Sequence, residues 1–175
     1  MSIRGRIFFI ILSCLFIGLS LAFVVADRDL SEGLQQQIER ELSKQAKILR
    51  QSFAESPKRN NSIGLKSQID SYSAASGSRI TLIARDGKVL VDSDIAMDNL
   101  ESLDNHSNRP EVIAAFNNGS GSSKRFSNST QQDMLYFALL DTSSEVERVI
   151  RISVTNAYLN SSLASLENSM TLIIE

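Results

Sequence analysis

The stretch Arg79-Ile80-Thr81-Leu82-Ile83-Ala84-Arg85-Asp86-Gly87-Lys88-Val89-Leu90-Val91-Asp92 decides the fold of this chain. Two short runs rich in Ile, Leu and Val flank Asp86-Gly87, and Asp-Gly between such runs is the strongest short-range signal of a β-hairpin. The pattern therefore predicts strands at 79–84 and 88–92. Because a tight hairpin joins antiparallel strands, the sheet that contains it is expected to be antiparallel.

Three more strand candidates follow and complete a sheet of five strands. They lie at 124–127, 134–140 and 148–154, with a loop at 141–147 before the last strand. A polar connection leads from the hairpin to Pro110, whose fixed backbone angle suits the first turn of a helix. We therefore expect a short helix at 110–116 and a flexible turn at 117–121, where Asn117-Asn118-Gly119-Ser120-Gly121 stands.

Helical patterns precede and follow these strands. Apolar residues recur every three or four positions over 29–56, and a second, shorter helix is expected at 62–76. From residue 156 onward a heptad spacing is carried by Leu159, Leu163, Leu166, Met170 and Ile173. That seam suits packing against the sheet as well as a contact between two parallel copies of the chain. The predicted fold class is α+β, with a five-stranded antiparallel sheet flanked by long N-terminal and C-terminal helices.

The segment 7–26 is the most apolar part of the chain and contains neither a charge nor a proline. As a helix it would be about 30 Å long, which matches the hydrocarbon core of a bilayer. Arg4 and Arg6 precede it, so the positive-inside rule predicts residues 1–6 in the cytoplasm and residue 27 onward outside the cell membrane. A cleaved signal peptide ending at Ala26 is the alternative, but its usual apolar region has only about 7–15 residues.

The last residues, 169–175, are again apolar before Glu175. We interpret them as the start of a second membrane helix, with an ordinary amphipathic helix end as the alternative. The predicted organisation is one transmembrane helix at 7–26 and an extracytoplasmic domain at 27–168. Within that domain we expect the long helix 29–56, a core at 62–156 and a C-terminal helix at 156–168.

The composition excludes several classes of function. With 18 Lys and Arg against 20 Asp and Glu, the chain has no basic surplus for binding nucleic acid. Cys14 is the only cysteine, so the exported part lacks a cysteine pair for a disulfide or a zinc site. No motif for a catalytic nucleophile or a phosphate-binding loop occurs, so neither catalysis nor a cofactor is expected. Six acids form a band that we interpret as a solvated face rather than a metal site: Asp86, Asp92, Asp94, Asp98, Glu101 and Asp104.

Four residues are candidates for binding a small anion: His106, Arg109, Arg125 and Tyr136. The first two stand in a polar run just before the short helix, and guanidinium groups form the paired hydrogen bonds that carboxylates and phosphates accept. In the alternative interpretation Asn108 caps the helix, Arg109 pairs with a surface acid and His106 lies in a solvated loop. Neighbouring residues of a strand point to opposite faces, so the direction of Arg125 depends on Phe126. If Phe126 enters the core, Arg125 faces solvent; if Phe126 does not, Arg125 faces the pocket.

Several runs carry a resemblance to a known family. They are Asp86-Gly87 with Val89-Leu90-Val91-Asp92-Ser93, then Asn105-His106-Ser107-Asn108-Arg109-Pro110-Glu111-Val112, then Gly119 to Gly121, Arg125-Phe126-Ser127, Thr130 and Tyr136-Phe137-Ala138. With these runs the chain resembles the N-terminal halves of membrane sensor histidine kinases of the phosphate-regulon type. Their exported domains have the PAS-like fold, also called a single Cache domain. The resemblance implies a ligand pocket between the sheet and the connection 92–109.

The resemblance also implies the function of a sensory input module in a two-component system. The kinase domains of such proteins are absent from residues 1–175, so this chain itself is not expected to be an enzyme. The expected partners are the lipid bilayer, a second copy in a parallel homodimer, and a small anion or a protein. The alternatives are an anchored or secreted binding or structural domain without signalling output, and the input domain of a chemoreceptor or a nucleotide cyclase.

Overall fold

The computed structural model describes residues 3–55, 62–127, 131–143 and 146–155. The chain divides into two compact units, residues 1–38 and 39–175. In the first unit, residues from Ile3 onward belong to helix α1 (Ile3–Glu55), and the side chains from Ile11 to Val25 are all exposed. Among the described residues, no helix combines the length and the apolar character needed to cross a membrane.

In the second unit, the described residues form three kinds of element. The α-helices besides the end of α1 are α2 (Ser62–Ser76) and α3 (Pro110–Asn118), and a 3-10 helix covers Met97–Ser102. The strands are β1 (Arg79–Ala84), β2 (Val89–Asp92), β3 (Ser120–Ser127), β4 (Gln132–Asp141) and β5 (Arg148–Thr155).

The strands form a single antiparallel sheet in the order β2-β1-β5-β4-β3. The central strand is β5, which pairs with β1 on one side and with β4 on the other. Directly opposite residues point to the same face of a sheet, so the register assigns every side chain to a face. The predicted α+β class with five antiparallel strands is confirmed.

Helix α3 packs on part of one face of the sheet. There Ile83, Ala138 and Val149 form a buried apolar cluster with Val112 and Ala115 of α3. A Cβ added to Gly121 on β3 would collide with the Ala114 side chain and the Glu111 carbonyl oxygen. Glycine at this position therefore lets α3 approach β3 closely, which places the first turn of α3 beside the sheet.

Residues 42–53 of α1 belong to the core of the second unit. Leu42, Ala46, Leu49 and Phe53 are buried at spacings of three and four, as the sequence pattern predicts. Phe53 lies under the guanidinium of Arg148, whose carbon is 5.0 Å from the ring centre. Nearby, Arg50 donates a hydrogen bond of 3.3 Å to the carbonyl oxygen of Leu140 on β4.

One expectation about the connections is wrong, and one feature of them was not predicted. The turn predicted at 117–121 is absent, because α3 continues to Asn118 and β3 begins at Ser120 rather than at Lys124. The physical reason is Gly119, whose left-handed backbone (φ 86°) ends the helix in one residue. The connection 92–109 contains the 3-10 helix at 97–102, which the sequence pattern does not reveal.

The other predicted elements agree more closely. Helix α2 and strand β1 have the predicted bounds, whereas α1 is continuous from Ile3 instead of beginning at residue 29. The predicted C-terminal helix at 156–168, with its heptad seam, and the apolar end at 169–175 lie outside the described residues, so both stay predictions.

The turn of the β1–β2 hairpin fixes the connection that follows it. Gly87 has a φ of 85°, and its carbonyl oxygen accepts a 2.9 Å hydrogen bond from the backbone N–H of His106. The Asn105 side chain donates a 2.9 Å hydrogen bond to the carbonyl oxygen of Asp86. A Cβ on Gly87 would collide with the Asn105 side chain and with the backbone nitrogen of Ser107.

We expect Gly87→Ala to lower the free energy of unfolding by about 2–4 kcal/mol, since it combines left-handed strain with a backbone collision. The matched control is Gly119→Ala, where φ is also left-handed (86°) but the new Cβ meets no atom within 4 Å. That variant should cost about 1 kcal/mol. Urea unfolding of the purified full chain measures both, and equal losses would show that the contact with 105–107 contributes nothing.

Candidate functional site

The part of the α3-bearing face that extends beyond the apolar cluster is polar. Thr81 on β1 lies opposite Asp92 on β2 and Arg151 on β5, and all three are buried. Tyr136 on β4 lies opposite Ser153 on β5 and is likewise buried. Such side chains remain in an interior only if hydrogen bonds or ion pairs compensate for the loss of water.

A pocket of about 250 Å³ lies between these side chains and the connection 92–109. The volume is slightly below the usual range for small-molecule sites, about 300–1,000 Å³. All four candidate residues line it, and they come from the connection as well as the sheet. The lining residues are Arg79, Ile95, Leu103, Asp104, His106, Arg109, Arg125, Phe126, Ser127, Tyr136, Arg151 and Ser153.

A buried carboxylate, that of Glu111 on α3, holds two of the pocket arginines. Glu111 is 0% exposed and accepts hydrogen bonds from Ser123 Oγ (2.6 Å) and from Arg125 (3.2 Å). Its Oε1 is also 3.6 Å from a guanidinium nitrogen of Arg151. The ring of Tyr136 contacts both cations, with guanidinium carbons 4.0 Å (Arg125) and 5.2 Å (Arg151) from its centre.

The electrostatics of this cluster reflect burial and pairing. Burial would raise the pKa of Glu111, but the hydrogen bonds from Ser123 and Arg125 and the charge of Arg125 outweigh it and leave that pKa lowered. Burial lowers the pKa of Arg151 to about 10, against the attraction of Glu111. Both groups are therefore charged at neutral pH.

Arg79 belongs to a second cluster at the edge of the pocket, which Thr81 joins to Arg151. Its guanidinium donates to both carboxylate oxygens of Asp92, with distances of 3.0 Å from Nε and from one terminal nitrogen. Thr81 Oγ1 donates to Asp92 at 2.8 Å and accepts from Arg151 at 3.1 Å. Asp92 thus compensates Arg79, and it is a buried ion-pair partner rather than part of the solvated acidic face that the sequence suggested.

The remaining cations have less compensation. Arg125 and Arg151 share the single carboxylate of Glu111, and Arg109 is 3.8 Å from Asp104, whose side chain is 89% exposed. The Nε atoms of Arg109, Arg125 and Arg151 are buried and have no hydrogen-bond partner in the described part of the chain. Asp104 is the only acid among the described residues that line the pocket. The pocket lining therefore combines four arginines and one acid with donors that are not used, which is the chemistry that attracts an anion.

The structure decides between the alternatives for individual candidates. Phe126 is 53% exposed whereas the Arg125 side chain is 25% exposed, so Arg125 faces the pocket side of β3. The residue at the helix N-cap is Arg109, which makes no side-chain capping bond, so the capping role considered for Asn108 is wrong. His106 is half-buried against the pocket rather than in a solvated loop.

Sequence reasoning missed three charged residues of this site: Arg79, Glu111 and Arg151. The available signal was a charge within a strand rich in Val and Ile, as at Arg151 in 148–154. A charged side chain on a strand either faces solvent or is buried beside an opposite charge. Which of the two occurs depends on residues that are distant in sequence. For metals, no group of three or more His, Cys, Asp or Glu side chains suited to an ion occurs within the described ranges.

We expect Glu111→Gln to lower the free energy of unfolding by about 3 kcal/mol, because the buried Arg151 and the partly buried Arg125 lose their shared counter-charge. The control is Glu101→Gln, at an exposed position of the 3-10 helix, where the change should be below about 0.5 kcal/mol. Urea unfolding of the full chain measures both effects.

The effect should depend on pH in a defined direction. Because the pKa of folded Glu111 is lowered, its stabilisation is complete above its ordinary value of 4.5 and is lost as the pH falls through the folded value. The difference between wild type and Glu111→Gln should therefore shrink in acid. A difference that is constant down to that range would contradict the assignment of Glu111 as the buried charge.

Comparison with models of protein families gives no match to this chain, and comparison with curated proteins gives none. A functional assignment therefore rests on the arginine-lined pocket, on the ion pairs behind it and on the sequence itself.

Proposed function

We propose that the chain is the extracytoplasmic sensory input module of a membrane sensor histidine kinase and that its pocket captures a small anion. The observation that supports this most strongly is the set of three buried arginine Nε atoms without partners beside a cavity of about 250 Å³. The five-stranded antiparallel sheet agrees with the PAS-like fold that the resemblance implies.

The charge around the pocket defines the class of ligand. Arg79 is paired with Asp92 and also lies 3.7 Å from Asp94, whereas Arg125 and Arg151 share the single carboxylate of Glu111. Arg109 adds a further cation, which lies 3.8 Å from the exposed Asp104. A carboxylate, a phosphate or a similar small anion supplies the missing counter-charge and accepts paired hydrogen bonds from guanidinium groups.

The proposal places residues 7–26 in the membrane, with residues 1–6 in the cytoplasm. Within 11–25 the large apolar side chains are exposed, among them Ile11, Phe16 and Phe23 at 63%, 72% and 73%. Continuous apolar exposure of this kind is rare on a surface that faces water, and lipid would cover it. Arg4 and Arg6 support the orientation.

In this proposal α1 carries the signal, since its residues 42–53 pack within the sensory unit. Arg50 contacts the β4 backbone and Phe53 contacts Arg148 on β5. A displacement of these strands would therefore also displace α1 through these contacts. The parallel homodimer and the returning helix at 156–168 belong to the same proposal.

Anion binding is tested with the full chain in lipid nanodiscs, using phosphate, acetate and succinate as probes. We expect at least one probe to raise the melting temperature of the wild type. Arg125→Gln should weaken that probe's binding by about tenfold or more, since it removes a guanidinium from the pocket. Lys124→Gln is the matched control, because Lys124 is the exposed neighbour on the opposite face of β3. Equal binding by both variants would contradict the assigned site.

Signalling is tested with residues 1–175 joined to the cytoplasmic part of a characterised sensor kinase in proteoliposomes. We expect the anion that binds to change phosphorylation of the cognate regulator, and we expect Arg125→Gln but not Lys124→Gln to remove that response. An anion that binds tightly without changing phosphorylation would favour an anchored binding domain without signalling output.

A further inference from the structure

The imidazole of His106 is held at the pocket in a defined protonation pattern. Its Nδ1 lies 2.6 Å from the backbone carbonyl oxygen of Asp104. A carbonyl oxygen only accepts hydrogen bonds, so Nδ1 carries a proton and the neutral ring keeps its lone pair on Nε2. The backbone of His106 is fixed as well, because its N–H donates to the carbonyl oxygen of Gly87 at 2.9 Å.

The charged and titratable groups around this ring are predominantly cationic. Of the acids in the connection, the one that lines the pocket is Asp104, which is mostly exposed, and Glu111 lies behind Arg125 and Arg151 rather than in the pocket lining. The groups that line the same pocket are Arg79 on β1, Arg125 on β3, Tyr136 on β4, Arg151 on β5, and Asp104 and Arg109 on the connection.

This environment disfavours a second proton on the ring while the pocket holds no anion. Burial lowers the pKa of His106 from its ordinary value of 6.5, and the charge of Arg151 lowers it further, with smaller contributions from Arg109 and Arg125. The hydrogen bond to the Asp104 carbonyl acts in the opposite direction but does not offset them. His106 is therefore neutral at neutral pH, and its Nε2 then has no proton to donate to an anion.

We propose that capture of an anion in this pocket is coupled to the uptake of one proton by His106, so that the site responds jointly to the anion and to acidity. The proposal rests on the anion pocket of the proposed function. A bound anion compensates the arginine charges that repel a proton on the ring. The proton comes from solvent and binds Nε2, which then becomes one more donor toward the pocket.

The direction of the pH dependence follows from linkage. The anion raises the affinity of His106 for a proton, so by reciprocity the proton raises the affinity for the anion. Between the free and the bound pKa of His106, the dissociation constant should fall by up to about tenfold for each pH unit of acidification. Below the free value the ring is charged in both states, and the affinity should no longer change.

Sulfate is the probe, because it remains a dianion across about pH 5 to pH 8, the range in which histidine side chains ordinarily change charge. The chain contains one histidine, so labelled full-length protein in nanodiscs gives a single imidazole signal by NMR. We expect saturating sulfate to raise the midpoint of that titration. Calorimetry in buffers with different ionisation enthalpies should show net proton uptake on binding.

Two variants identify the titrating group. His106→Gln removes the ionisable ring and should remove the pH dependence of sulfate affinity. Asp104→Asn keeps the backbone carbonyl that holds Nδ1 and should retain the dependence. If Asp104→Asn rather than His106→Gln removes it, the proposal is overturned.

The remaining outcomes separate this proposal from the proposed function. Sulfate that binds with pH-independent affinity and leaves the His106 titration unchanged overturns the coupling but leaves the anion pocket intact. Failure of sulfate to bind the wild type at any pH in the range overturns the coupling and counts against the anion pocket. In that case the probes used for the proposed function show whether the pocket accepts a different anion.

Discussion

The side chain of Glu111 joins helix α3 to two strands of the sheet. It lies on α3, while its partners Ser123 and Arg125 lie on β3 and Arg151 lies on β5. A carboxylate without contact to water is stable only where donors and cations surround it. The cations that fulfil this requirement also form one wall of the pocket, so the interaction that orders the helix on the sheet also sets the positive sign of the cavity.

The two buried ion-pair clusters differ in stoichiometry, and that difference gives the pocket its character. Arg79 and Asp92 form an ion pair with three hydrogen bonds of 3.0–3.2 Å, Asp94 lies 3.7 Å from the same guanidinium, and this group contributes little net positive field. Around Glu111, two arginines face one carboxylate, and both stack on Tyr136. The ring supports the cations through its electron-rich face without neutralising them. The positive charges of Arg125 and Arg151 are thus stabilised in the folded domain and remain available to a ligand.

The sequence predicts the elements whose signals are local. Asp86-Gly87 and the alternating runs around it suffice for the hairpin, and the bounds of β1 agree with the prediction. The 3-10 helix and the short corner at Gly119 were not predicted, because neither has a repeating sequence pattern; the 3-10 helix packs near β2, and the corner depends on how α3 meets β3. Local signals therefore predict strands better than the connections between them.

The site was predictable to a smaller extent. Arg125 could be placed by the alternation of its strand once Phe126 was known to be exposed, and its neighbours in the pocket came from the polar run before Pro110. Glu111 and Arg151 could not be recognised, since a charge inside a sheet or on a buried helix face is compensated by residues far away in sequence. Arg151 meets Thr81, 70 residues earlier, and periodicity contains no information about such a partner.

The pocket has two walls of different origin, and this affects how the anion that it prefers can change between related sequences. One wall consists of sheet residues whose charges are tied into the folding of the domain, so replacing Arg151 disturbs the core itself. The other wall is the connection 92–109, which is anchored at the hairpin turn through Gly87 and Asn105. Exposed positions between these anchors can change at little cost to stability. The sheet arginines can thus stay and keep attracting anions while substitutions in the connection change the shape of the pocket. Related chains with the same fold can then prefer different anions.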